Sequence, residues 1–294
     1  MSDTVDDFYV ARNLLYLGAY PQALAALSAL PRTVNDTERQ SLQYRAYIGQ
    51  GNHALVLSEI PATTSNATLL AVRNLALNAT DPTAALCSTQ ELISNAVNLQ
   101  SGTFTVLAAE VLGDSGPDDA LRILDLHPRN LECTSLTVAI YLKRDRADLA
   151  QKLVARVREW ADDAPIAQLA EAWTALALGQ YSDAYYGFVE LAQAQAVATP
   201  RLCCAQAVAK MHLAQFEEAQ ALLQSALEKD PNDPDTLANL VVCASRSSEL
   251  VSETRDRYLA QLTHAKPSHP LLQDMELAGQ RFDAALLALV AKTN

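Results

Sequence analysis

One short pattern occurs twice at a fixed distance, and it constrains this chain more than anything else. Tyr181-Ser-Asp-Ala184 runs on into Phe188 and Leu191, and thirty-five residues later Phe216-Glu-Glu-Ala219 runs on into Leu223 and Ala226, closed by Pro231. An aromatic residue, alanine three places on, and apolar residues four and seven places beyond that is the second helix of a repeated helical hairpin. The alanine lets two antiparallel helices approach, and the proline ends the unit.

Laid over the rest of the chain, the register finds anchors of the same kind at Ala23, Val56, Ala85, Ala120, Ala150, Arg255 and Ala285, with steps between neighbours of 29 to 36 residues. Val56 and Arg255 depart from the small residue. A mid-thirties period is tetratricopeptide-like, so the expected fold is all-α, a right-handed α–α superhelix. Residues 1–294 are expected to form a single solenoid of about eight to nine hairpins. Half the residues are apolar and only 9 are glycine, which favours helix by propensity. The turn-like Gln100-Ser-Gly-Thr103 leaves room for a small local β-hairpin around residues 99 to 106.

The spacing predicts paired helices at Phe8 to Tyr16 and Gln22 to Leu30, then a helix capped by Asp36 or Thr37 and its partner from His53 to Ile60. Pairs follow at Thr68 to Ala79 with Ala84 to Leu99, Thr103 to Leu112 with Asp118 to Leu126, and Glu132 to Leu142 with Asp148 to Trp160. Ile166 to Leu178 pairs with Ser182 to Gln195, and Asp235 to Cys243 with Glu253 to Thr263. The Arg201–Ala226 unit lies between them. Leu271 to Ala278 with Phe282 to Ala291 is expected as a last hairpin.

The net charge of −12 and pI near 4.8 set the chain against a phosphate backbone or an anionic lipid surface. The densest basic run, Lys143-Arg144-Asp145-Arg146, carries its own acid and reads as a solvated loop. Nucleic acid is therefore not an expected partner, and a membrane is expected only indirectly, through another protein. Cys87, Cys133, Cys203, Cys204 and Cys243 lack C-x-x-C spacing and read as small buried hydrophobes of a reducing compartment. The acidic opening Met1 to Asp7 is unlike a signal peptide, so a cytosolic chain is expected. The formal glycosylation acceptors at Asn35, Asn66 and Asn78 carry no weight without secretion.

Chemistry-bearing patterns fail on their spacing. Asp6-Asp7, Asp118-Asp119 and Asp162-Asp163 lack the third aspartate of a one-face Mg²⁺ site and read as helix starts. Asp230-Pro-Asn-Asp-Pro-Asp235 lacks the turn glycine of a calcium loop and has Val241 where the bidentate glutamate belongs. Phosphate-loop, nucleophile-elbow and H-E-x-x-H patterns are absent. No catalytic residue, metal ligand or cofactor is expected, and the chain reads as not an enzyme.

Binding is the remaining class. Counting back from each anchor places Arg12, Arg45, Ile48, Val208, Met211, Val241 and Ala244 on first helices facing a concave groove. Trp173 lies on the inner face when counted from Ala184, and in the core when counted from the tryptophan position usual in such repeats.

Several stretches carry a resemblance beyond the repeat. Tyr44-Arg-Ala-Tyr47, Leu131-Glu-Cys-Thr134, Leu169-Ala-Glu-Ala-Trp173, Asp183-Ala-Tyr-Tyr186, Arg257-Tyr-Leu259 and Ser268-His-Pro270 fall in collinear order from about Asp6 to Ala291. Together they resemble the epsilon subunit of coatomer, the COPI vesicle coat. The resemblance implies a non-enzymatic coat component that grips the C-terminal region of the coatomer alpha subunit in its groove. It also implies retrograde Golgi-to-ER and intra-Golgi transport, and a cytoplasmic protein peripheral on Golgi membranes. The competing expectation is a generic tetratricopeptide adaptor or co-chaperone, although Arg201-Leu-Cys-Cys-Ala205 and Asp235-Thr-Leu-Ala-Asn-Leu240 offer few of the basic side chains that hold a peptide carboxylate.

Overall fold

A computed structural model describes residues 6–31, 35–113, 115–246 and 252–293. Among them the chain forms seventeen α-helices, one 3₁₀ turn and no strand. Two compact units divide it, Met1–Val197 and Ala198–Asn294.

The first unit holds six hairpins: α1 (Tyr9–Tyr16) with α2 (Tyr20–Ala29), α3 (Asp36–Gly49) with α4 (His53–Glu59), and α5 (Ala67–Asn78) with α6 (Pro82–Ile93). The other three are α7 (Gly102–Leu112) with α8 (Pro117–Leu124), α9 (Leu131–Lys143) with α10 (Ala147–Ala161), and α11 (Pro165–Ala177) with α12 (Tyr181–Ala194). The second unit holds α13 (Pro200–His212) with α14 (Phe216–Lys229), α15 (Pro234–Arg246) with α16 (Ser252–Ala265), and α17 (Pro270–Thr293).

The anchors do what small residues at a helix crossing should. Ala23, Val56, Ala85, Ala120, Ala150, Ala184 and Ala219 are all buried to 1% exposure or less. Around them Phe104, Leu107, Leu112 and Leu124 fill the main core of the first unit, and Leu223, Leu237, Leu240 and Leu262 that of the second. Each such side chain contributes about 1.5–3 kcal/mol by leaving water.

The turns follow two rules. Five residues before the anchor, Gly18, Gly51, Asp145, Gly179 and Ala214 all have positive φ, so the first helix ends in a left-handed residue and the second begins directly. Elsewhere a proline opens the helix, as at Pro82, Pro117, Pro165 and Pro200. Side-chain caps complete the starts: Asn35, Asn66, Asp81, Ser101, Asn130 and Thr199 accept from backbone N–H groups of the first turn. Asn35, not Asp36 or Thr37, is therefore the cap of α3, and two of the three formal glycosylation acceptors are helix caps.

Several expectations are corrected. Residues 99 to 106 form no β-hairpin: a 3₁₀ turn at Asn98–Gln100 leads through the Ser101 cap into α7. Arg255 is not an anchor. It is exposed and pairs with Asp256, while Tyr258 and Leu262 carry the buried face of α16. The last hairpin does not form, because α17 is one continuous helix of 24 residues and Ala285 is exposed. Cys87 is exposed, unlike the other four cysteines. The acidic opening before Asp6 lies outside the described residues.

Candidate partner-binding surface

In the first unit successive first helices pack side by side, and the series closes on itself far enough that α1 touches α11. That closure decides what the predicted basic residues can do. Arg12 on α1 bonds Asp6 and the Glu38 carboxylate of α3. Arg45 on α3 reaches across to α9, where Nη2 donates to Glu132 Oε1 at 2.8 Å, with both side chains 12% exposed. Tyr16 lies against the same carboxylate. Burial opposes charge on Glu132, but Arg45 and Tyr16 outweigh it and hold the carboxyl below its usual range. Burial and Glu132 together push the Tyr16 hydroxyl upward. Burial likewise opposes charge on Arg45, and Glu132 outweighs it, so the guanidinium stays charged. Arg12 and Arg45 are thus inward braces of the repeat stack, and Arg45 is not a groove side chain offered to a partner.

Ile48 is half-buried against the main core. Trp173 packs edge-on to Phe188 of its own hairpin, with centroids 5.1 Å apart, and remains 36% exposed. The indole therefore touches the interior of its own hairpin and keeps an exposed edge. A groove of about 670 Å³ between α10, α11 and α12 is lined by apolar side chains such as Val154, Leu178 and Tyr186 and by Arg158 with Asp162, Glu171, Asp183 and Glu190. Arg158 is paired with Glu171 and Asp162, which leaves Asp183 and Glu190 to make the groove acidic.

In the second unit Val208 and Met211 on α13 are half-exposed, and Met211 also leans on the core. Val241 and Ala244 are buried, at 4% and 6% exposure, and line no groove. The exposed apolar residue of α15 is Val242, at 41%. The miss has a mechanical cause. Counting back takes Arg255 as the anchor of α16, but Arg255 is exposed and lies off the buried face, so the register it hands to α15 is displaced. Counting forward from the opening proline finds the position: Val208 and Val242 each stand eight residues after Pro200 and Pro234.

The Asp230 to Asp235 run is likewise architectural. Asp233 accepts from the Thr236 backbone N–H at 2.8 Å and starts α15, while Asp235 lies 3.3 Å from the His269 ring. Among the described residues no three His, Cys, Asp or Glu side chains converge as a metal site, and no helix is long and apolar enough to cross a membrane.

Stacked helical hairpins define a helical-repeat protein. In fold the chain is similar to the Cut9–Hcn1 crystal structure, at TM-score 0.63 and 13% identity, covering 90% of this chain and 53% of that one. A tetratricopeptide repeat protein from Parabacteroides merdae superposes at TM-score 0.57 and 14% identity, over 81% of this chain and 98% of that one. The coatomer epsilon subunit family model matches residues 4–290. Coatomer subunit epsilon-1 of Oryza sativa subsp. japonica is 33% identical over 97% of this chain and 98% of its own length, and coatomer subunit epsilon of Caenorhabditis elegans is 32% identical over 95% and 97%. The chain belongs to the coatomer epsilon-subunit family, and so to the COPI coat of vesicle transport.

Proposed function

We propose that this chain is a non-catalytic structural subunit that binds and stabilises the C-terminal region of the coatomer alpha subunit. In that role it serves retrograde Golgi-to-ER and intra-Golgi transport from the cytoplasm, and reaches Golgi membranes only through its partner. The family match over nearly the whole length carries the reading. The surface that suits it best is the face of α13 and α15 that carries Val242, 41% exposed, and the partly exposed Val208. The net charge of −12 supports indirect membrane attachment, since each unfavourable charge beside anionic lipid costs on the order of 1 kcal/mol.

The test is isothermal titration of the purified chain with the C-terminal region of the coatomer alpha subunit. Val242→Asp, at a position 41% exposed, is expected to weaken binding by on the order of tenfold or more while leaving the thermal melt unchanged. Wild-type affinity in that variant removes the surface. No binding by the wild type removes the partner.

A further inference from the structure

From Gln273 to Leu287 every residue of α17 is exposed. A helical stretch of this length without tertiary packing is only marginally stable in water, and most helices in folded proteins are held by a buried face. The exposed side chains include large apolar ones: Met275 at 45% exposure, Phe282 at 68% and Leu286 at 48%, with Leu277 and Leu287 exposed beside them. Leu272, Met275, Gly279, Phe282, Leu286 and Leu289 fall at spacings of three, four, three, four and three residues, which is the heptad seam of a coiled coil. Leu272 lies half-buried against the core of the second unit, which fixes the start of the seam to the folded body.

We propose that α17 pairs antiparallel with α17 of a second copy of this chain. The seam is complementary to itself in that direction. About a two-fold axis near Gln280, Phe282 of one helix faces Gly279 of the other, and Met275 faces Leu286, so the bulkiest side chain meets the only seam position without one. A parallel pair would set Phe282 against Phe282 and leave two glycines opposite each other. Gly279 fits this role because a Cβ there would meet nothing within 4 Å in the single chain, so its bareness serves no contact of its own fold. A glycine inside an exposed helix otherwise costs about 1 kcal/mol relative to alanine. The helix is about 36 Å long. Glu276 and Asp283 flank the seam and bring like charges to facing edges, so added salt strengthens the pair.

The test is sedimentation equilibrium of the full chain across a concentration series. A reversible dimer is expected that tightens with salt. Phe282→Asp and Leu286→Asp, both exposed in the single chain, are each expected to weaken it on the order of tenfold or more with the thermal melt unchanged. Gly279→Leu favours helix yet fills the position that receives Phe282, and is expected to weaken the dimer as well. A monomer at every concentration overturns the proposal, whether α17 then folds back on itself or takes a different protein. A dimer that salt dissociates, or that Gly279→Leu tightens, overturns the antiparallel apolar seam.

Discussion

Arg45 and Glu132 lie eighty-seven residues apart in the chain and meet at 2.8 Å, tying α3 to α9 across the inner side of the first unit. Nearest-neighbour packing alone holds most repeat stacks, so a buried ion pair skipping several hairpins makes this one more cooperative than its repeat count suggests. Glu132 also sits in the first turn of α9, where the Asn130 cap accepts from its backbone N–H at 2.9 Å.

Removing only the carboxylate leaves a guanidinium enclosed and unpaired. Glu132→Leu is therefore expected to cost about 3–5 kcal/mol in urea unfolding, whereas Arg45→Met with Glu132→Leu returns much of it, because two apolar groups need no partners. The pH dependence follows from the lowered Glu132 carboxyl. Its folded value lies below the unfolded one, so the contribution is complete above the ordinary carboxylate range, at about pH 5, and is lost as pH falls through the folded value. The stability gap between wild type and the double variant should shrink in acid and stay constant from about pH 6 to 8. An acid-insensitive gap would mean the pair carries no net stability.

The hairpins are legible in the sequence because seven of the nine anchors of the register are buried, all but Arg255 and Ala285. The signal failed where packing, not sequence, decides the outcome. Phe282-Asp-Ala-Ala285 has the same aromatic-to-alanine spacing as Tyr181 to Ala184, yet no turn forms ahead of it: Gly279 stays helical, whereas Gly179 adopts φ +80. Val241 and Val242 are adjacent valines, about 100° apart on one helix, and a small register error exchanges a buried for an exposed position. Arg45 lies on a first helix, as its spacing predicts. Its closure onto Glu132 depends on how far the helices curve, which no spacing encodes.

Close approach of α2 and α3 makes a second prediction. Gly49 ends α3 where a Cβ would land on the Tyr20 ring at the start of α2, and that ring packs on the Phe8, Leu15 and Leu27 core. Gly49→Ala therefore forces a rigid ring off its seat and is expected to cost about 1–3 kcal/mol, read as a lower urea midpoint with an unchanged slope. Tyr20→Ala in the same chain should make the alanine nearly silent, since the two changes share one contact.

The five cysteines make a third prediction, because burial separates them by reactivity. Cys87 stands on α6 two residues beyond the buried Ala85, hence on the opposite side of the helix, and is exposed. Cys133, Cys203, Cys204 and Cys243 are buried. Burial also pushes the Cys133 and Cys204 thiols up to about 12, so at pH 8 only on the order of one in ten thousand is the reactive thiolate. A disulfide-exchange reagent should therefore titrate one thiol quickly in the native protein and all five in guanidinium, and Cys87→Ser should abolish the fast phase. The slow thiols then report opening of the fold. Cys133 lies in the first unit and Cys203, Cys204 and Cys243 in the second, so mass spectrometry of pulse-labelled protein reads the stability of each unit separately. Two or more fast thiols in the native chain would contradict the buried packing of α9, α13 and α15.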